Sequence, residues 1–344
     1  MARELNVSGA INEALKIAME KDENVILLGE DVAGGAEVDH LQNDEAWGGV
    51  LGVTKGLVQQ FGRERVLDTP ISEAGYIGAS MGAAVTGLRP IAELMFNDFI
   101  GCCLDQVLNQ GAKFRYMFGG KAKVPVTIRT THGAGFRAAA QHSQSLYGLF
   151  TSIPGLKVVV PSTAYDAKGL LLASIEDDDP VIFFEDKTLY NNSGEVPEGY
   201  YTIPLGKADI KREGEDITIV AIGKQVHTAL AAADQLSAKG LEVEVVDPRS
   251  LSPLDEETIL SSVEKTNRLI VIDEANPRCS AATDIASMVG EKAFDSLDAP
   301  IKKITAPHTP VPFSPKLEDL YLPSPEKVIK AVTELTGENS LLSV

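Results

Sequence analysis

Asp68-Thr69-Pro70-Ile71-Ser72-Glu73-Ala74-Gly75 is the stretch on which the reading of this chain turns. The extended run Arg65-Val66-Leu67 ends there in a short polar turn, and the turn delivers one carboxylate, Glu73, to the start of a helix built of small residues. No charge occurs from Ala74 to Leu88, and Gly75, Gly78, Ala79, Gly82, Ala83 and Gly87 leave much of that helix without side chains. Such a surface lets a partner helix or a flat ligand approach closely. A carboxylate beside it is expected to have a raised proton affinity and to exchange a proton with a buried partner. A second reading stays open: an acid at a helix N-terminus is favoured by the macrodipole alone.

The rest of the composition sets the class. At 344 residues, with 44% hydrophobic and 23% charged residues, the chain has the length of two domains and enough apolar content for a large core. A formal charge of −18 argues against a nucleic-acid backbone as the main partner. The three cysteines are Cys102, Cys103 and Cys279. The adjacent pair is poorly placed to bridge, and no Cys/His spacing suggests zinc. This usage suits a reducing compartment, no basic-then-apolar leader opens the chain, and a cytoplasmic protein is expected. The run without charge from Ala138 to Leu156, apart from its histidine, contains Gln141, Gln144, Gly148 and Pro154 and does not read as a membrane span.

Helices and strands alternate outward from the opening stretch. A helix is expected from about Ser8, as its cap, to Glu20, then a buried strand at Val25-Ile26-Leu27-Leu28. A Gly-rich acidic loop follows, with Asp39, His40, Asp44, Glu45 and Trp47. Helix at 54–61, strand at 66–67, helix at 74–87, strand at 90–96, helix at 99–116 and strand at 124–130 come next. Strands at 156–160 and 181–184 flank a helix at 164–175. This order implies a mostly parallel sheet with helices on both faces. Lys187 to Gly206, rich in Asn, Gly and Pro, reads as a linker. A second alternating unit then runs from the strand at 217–222 to a helix near 325–335. The expected fold class is α/β with two doubly wound domains: 1–186, a linker at 187–206, and 207–344. No G-x-G-x-x-G follows a strand, and neither a P-loop nor G-x-S-x-G occurs, which weighs against a nucleotide-dependent dehydrogenase, a kinase and an α/β hydrolase.

Several runs together carry a resemblance: Leu27 to Val32 (LLGEDV), Asp68 to Gly75 (DTPISEAG), Gly87 to Glu93 (GLRPIAE), Leu104 to Tyr116 (LDQVLNQGAKFRY), Ala139 to Ser145 (AAQHSQS), and the later PGLKVVVPS and DAKGLL. Nearly end to end, the chain resembles the β subunit of the thiamine-diphosphate-dependent first component of 2-oxo-acid dehydrogenase complexes. The long insert between Asp31 and Lys55, with HTPVPFSP near the end, looks like the acetoin-cleaving members. The resemblance implies a transketolase-like pyrimidine-binding domain followed by a transketolase C-terminal domain. It implies that Glu73 matches the glutamate that bonds the cofactor's pyrimidine nitrogen and favours the imino tautomer, whose nitrogen deprotonates the thiazolium carbon. Phe99 matches an aromatic that packs on the pyrimidine, although as a residue it reads equally well as core. His142 matches the histidine at the mouth of the channel where the lipoyl arm arrives, although as a residue it also reads as a helix-terminal histidine bonded to backbone. Glu30, from its place at the C-terminal end of a strand, reads as an acid supporting the cofactor site. His132 and Arg137 are weaker candidates, and His40 and His308 read as surface or turn residues. In some members a potassium ion is held at positions matching Val126, Thr127, Ser174, Asp177 and Asp179. Read as residues, Glu176 to Asp179 is first of all a solvated acidic helix end, although acids at a helix C-terminus oppose the dipole and could use a cation.

One absence sharpens the expectation. The family holds magnesium and the diphosphate through Gly-Asp-Gly with a later Asn, and this chain has no Gly-Asp-Gly. It therefore reads as the pyrimidine half of a shared site, with thiamine diphosphate and magnesium completed by an α subunit in an α2β2 heterotetramer. The smooth helix is the expected subunit contact. The implied activity is cleavage of acetoin to acetaldehyde, with the acetyl unit passed to the lipoamide of an acyltransferase component. The alternatives are a pyruvate or branched-chain 2-oxo-acid dehydrogenase β subunit, and a non-catalytic scaffold.

Overall fold

The computed structural model describes residues 2–34 and 47–337, in two units. The expected residues Asp39, His40, Asp44 and Glu45 lie outside the described ones. The first unit comprises Met1–His132 and Phe150–Leu205, and the second comprises Gly133–Leu149 and Gly206–Val344. The segment 133–149, which carries His142, thus belongs with the C-terminal half although it lies inside the N-terminal half of the sequence.

In the first unit the elements are β1 (Ala2–Asn6), α1 (Val7–Lys21), β2 (Val25–Gly29), α2 (Leu57–Phe61), β3 (Val66–Asp68), α3 (Glu73–Val85) and β4 (Arg89–Phe96). There follow α4 (Ile100–Asp105), α5 (Ala112–Met117), β5 (Thr127–His132), α6 (Tyr147–Thr151, begun in the second unit's segment), β6 (Lys157–Val159), α7 (Ala164–Glu176), β7 (Val181–Asp186) and β8 (Ser193–Pro197). Six of these strands pair in parallel in the order β6-β7-β5-β4-β2-β3. The strands are buried because helices cover both faces, so β5 and β7 have every residue buried. Ile11, Ala14 and Leu15 of α1 pack with Leu170 and Leu171 of α7 in the core.

Several local expectations shift. Asn6, not Ser8, caps α1, because its Oδ1 accepts the Gly9 N–H at 2.9 Å. The stretch read as linker holds β8, which pairs antiparallel with β1; a single ladder of weakly patterned residues gives no period to detect. The helix expected over 99–116 is interrupted by a π-helical turn at Gln106–Gly111. Gly111 lets α3 pack closely there: a Cβ would lie 2.9 Å from the Met81 sulfur, so the end of that side chain would have to move.

The second unit contains β9 (Asp209–Arg212), β10 (Ile217–Ala221), α8 (Gln225–Ser237), β11 (Val243–Asp247), β12 (Ser250–Ser252), α9 (Glu256–Thr266) and β13 (Leu269–Asp273). It ends with α10 (Ala281–Lys292), β14 (Lys302–Thr305), α11 (Pro315–Tyr321) and α12 (Pro325–Thr336). Its sheet runs β14-β13-β10-β11-β9, parallel except for the edge strand β9. Both units are α/β with helices packed on open, mainly parallel sheets, as expected. Among the described residues, no helix is long and apolar enough to cross a membrane.

Candidate active site

The carboxyl ends of neighbouring parallel strands are where an open α/β sheet gathers ligand-binding residues. β4, β2 and β3 are adjacent in the first sheet. Phe99 follows β4, Glu30 follows β2 directly, and Glu73 follows β3 through the turn 69–72. Three of the expected cofactor residues therefore converge at one sheet edge from three separate stretches of sequence. The turn is fixed by one backbone and one side-chain bond: Thr69 N–H donates to Gly29 O at 3.0 Å, and the Asp68 carboxylate Oδ1 accepts the Ala33 N–H at 2.7 Å.

Glu73 is the first residue of α3 and is half-buried. Its charge is felt by its neighbours. The Glu30 carboxyl is raised above the usual range, first by burial, then by Asp31 and Glu73. Burial and the Glu73 charge push the Cys103 thiol up to about 12, and raise the Tyr76 phenol as well. On α3, Tyr76, Ile77, Ser80, Met81 and Ala84 face the core, whereas Gly75, Ala79 and Gly82 are exposed. The spacing of those three puts the bare surface on one helix face. A Cβ added at Gly82 meets nothing within 4 Å. Phe99 is half-buried and stands edge-on to Phe96, with ring centroids 5.6 Å apart. The setting offers an acid after β3, an aromatic after the neighbouring part of the sheet at β4 and a helix with few side chains to obstruct, features that a flat pyrimidine would suit.

Beneath the edge lies a buried network that the sequence reading left out. Arg129, in the middle of β5, donates from Nε and Nη2 to both oxygens of Glu185 at 2.7 and 2.9 Å, and from Nη1 to Glu93 at 2.7 Å. Tyr190 donates its hydroxyl to Glu185 at 2.6 Å. Burial raises the Glu93 carboxyl; Arg129 opposes this, while Glu185 and Glu30 add to it. The signal was present: an arginine inside the β-rich run 124–130 must be paired if that strand is buried. Glu93 also stood in a quoted motif. Gly29 is required beside it, because a Cβ there would sit 2.9 Å from the Glu93 Cβ.

His142 lies in the second unit's segment 133–149 and is half-buried. The segment is bound to that unit by buried acids. Tyr147 donates to Asp273, Ser145 Oγ to Glu274 at 2.6 Å, and Arg137 Nη1 to Glu318 at 2.9 Å. His132 is buried at the end of β5, edge-on to Phe184 at 5.7 Å. His308 is exposed.

The five residues expected around potassium are differently engaged. Lys157 Nζ contacts both oxygens of Asp177 at 2.5 and 2.7 Å, and Arg115 holds Asp179 at 2.7 Å. Ser174 Oγ donates to Leu170 O at 2.7 Å, and Val126 O accepts the Val181 N–H at 2.9 Å. Thr127 is buried within β5. The cationic charge that the acidic end of α7 calls for is thus supplied by the chain's own lysine and arginine. This donor set does not fit a resident cation as arranged, and no step is assigned to one.

Two units, each with the sheet of a thiamine-type fold, and an acid at the strand edge of the first define a transketolase-like chain. Residues 3–193 match the family "Transketolase, pyrimidine binding domain", and residues 206–328 match "Transketolase, C-terminal domain". The chain is 78% identical to the acetoin:2,6-dichlorophenolindophenol oxidoreductase subunit beta of Bacillus subtilis (strain 168), covering 99% of this chain and all of that one. It is 60% identical to the protein of the same name from Cupriavidus necator, with 96% and 97% covered. Its structure resembles a split-gene transketolase described as an inactive beta4 tetramer, with a TM-score of 0.74 at 23% identity over 97% and 98% of the two chains. The chain therefore belongs to the transketolase-like family of β subunits that includes those of acetoin oxidoreductases and, at lower identity, of pyruvate and 2-oxoisovalerate dehydrogenases. The family is thiamine diphosphate-dependent, and a β subunit implies an α subunit.

Proposed function

We propose that this chain is the β subunit of a thiamine-diphosphate-dependent acetoin dehydrogenase, which with its α partner cleaves acetoin, releases acetaldehyde and passes the acetyl unit to lipoamide. The observation that carries the reading is the gathering of Glu30, Glu73 and Phe99 at the ends of three adjacent parallel strands. The higher identity to acetoin oxidoreductase subunits than to 2-oxo-acid dehydrogenase subunits supports acetoin as the substrate. When bound, thiamine diphosphate supplies a carbon nucleophile for carbon–carbon cleavage. Glu73 would hold a proton at the pyrimidine ring nitrogen, and Glu30, whose own carboxyl is raised, would keep that corner able to share it. Phe99 would pack on the ring and exclude water. His142 would accept or deliver the proton exchanged when the lipoyl sulfur arrives, which suits imidazole near neutral pH. The missing Gly-Asp-Gly assigns magnesium and the diphosphate to the α subunit, in an α2β2 assembly. The bare face of α3 is the proposed contact with a partner subunit.

The test uses the reconstituted α/β pair with acetoin and pyruvate as competing substrates. Preference for acetoin is expected, and preference for pyruvate would retire the substrate assignment. Glu73→Gln should lower turnover by roughly 10²- to 10⁴-fold; full activity in that variant would favour the scaffold alternative instead.

A further inference from the structure

We propose that Glu318, on α11 of the second unit, is a positioning residue for His142: its buried carboxylate fixes the conformation of the loop that presents the histidine. The proposal rests on the reading of His142 given above, and it adds the residue on which that role depends.

The loop closes on itself, because Gly133 N–H donates to Gln144 O at 3.1 Å. Its chain is unusual between those ends. Gly135, Arg137 and Ala139 all have positive φ, at 103°, 63° and 61°. Glycine adopts such angles freely, but arginine and alanine do not. A non-glycine residue stays in this region only where its surroundings over-determine it. Glu318 provides that constraint. It has no exposed surface; Oε1 accepts the Gly135 N–H at 2.6 Å and Oε2 accepts Arg137 Nη1 at 2.9 Å. Arg137 is gripped further by Asp319, at 2.5 Å from Nη2, and by Pro315 O at 3.2 Å.

A second clamp holds the other arm. Glu274, also buried, accepts Ser145 Oγ at 2.6 Å and pairs with Lys224 at 2.5 Å, and Lys224 in turn donates to Ala134 O. His142 sits between the clamps, its N–H directed at Ala139 O at 3.5 Å. A fully buried carboxylate is costly unless its bonds are used, and both oxygens of Glu318 are spent on this loop. A group that acts through the geometry of another can change rate steeply, since a misplacement of about 1 Å costs on the order of a hundredfold.

The experiment measures two activities on each preparation of the α/β complex: acetoin-dependent reduction of 2,6-dichlorophenolindophenol, and acetyl transfer to a lipoylated domain. Only the second needs a lipoyl sulfur to be served. His142→Gln should lower the ratio of lipoyl transfer to dye reduction, and Glu318→Gln should lower the same ratio by about tenfold or more. Arg137→Gln, which breaks the clamp from the loop side and leaves α11 intact, should lower it less; it also serves if Glu318→Gln fails to fold. Equal losses in both activities for the Glu318 and Arg137 variants would mean a purely structural role and would overturn the proposal. So would an unchanged ratio in those variants while His142→Gln shows the split. If His142→Gln itself shows no split, the role of the histidine falls, and the proposal falls with it.

Discussion

Replacing Arg129 tests whether the buried network holds up the cofactor edge. Arg129→Met keeps the length and apolar stem of the side chain but removes three charge-assisted bonds of 2.7, 2.9 and 2.7 Å. It leaves Glu93 and Glu185, both buried on the strands either side of β5, without the cation between them, and Glu93 is paired in the sheet with Gly29, the residue before Glu30. Removing one partner of a buried ion pair costs about 3–5 kcal/mol, because the remaining charge has lost its compensation. For a unit of this size that corresponds to a fall in melting temperature of roughly 6–20 °C. The loss should shrink as pH is lowered, because protonating either carboxyl relieves the repulsion that Arg129 now cancels. Arg129→Lys, which keeps the charge but not the two-pronged contact with Glu185, should fall between the variant and the native protein. Thermal melts of the α/β complex at two pH values decide it. A melting temperature within about 2 °C of native for Arg129→Met, or a loss that deepens on acidification, would refute the reasoning.

Further expectations follow from the same geometry. Burial holds the Asp273 carboxyl at about 6, against 3.8 for the unperturbed group, and the bonds from Tyr147, Ala275 and Ala282 only partly offset it. The folded chain keeps this proton where the unfolded chain has released it, so stability should fall as pH rises from about 4 to 6, by about 3 kcal/mol in all. Asp273→Asn should flatten that dependence in urea titrations across the window; an unchanged slope would count against it. Gly29→Ala places a methyl group 2.9 Å from the Glu93 Cβ and 3.0 Å from its carbonyl oxygen. It should cost about 1–3 kcal/mol by overpacking and reduce acetoin turnover, because the displaced residue adjoins Glu30; native melting and turnover would disprove it.

Much of this protein was legible in its linear order. The alternation of β-rich and helical stretches required two α/β units, and the uncharged run after Glu73 required a helix with a bare face. These are local properties, set by period, by glycine content and by turn chemistry, and they do not depend on which strand lies beside which. Elements without a period escaped: β1 and β8 support each other and have little pattern of their own, and the π turn at 106–111, where Gly111 packs close to Met81 of α3, interrupts a stretch that reads as one helix. The candidate site divides in the same way. Glu30, Glu73, Phe99 and His142 could be singled out by motif, but only the strand order β4-β2-β3 brings the first three to one edge. Arg129, Glu93 and Glu185 are separated by tens of residues, and their union depends on strand pairing. The acidic end of α7 called for a positive charge, but nothing in the order of residues said that Lys157 and Arg115 would supply it. Sequence alone determined which side chains could do chemistry and which stretches could be helix or strand. Tertiary structure decided which of them meet, because burial and pairing act between residues far apart in the chain, where a linear pattern carries no distance.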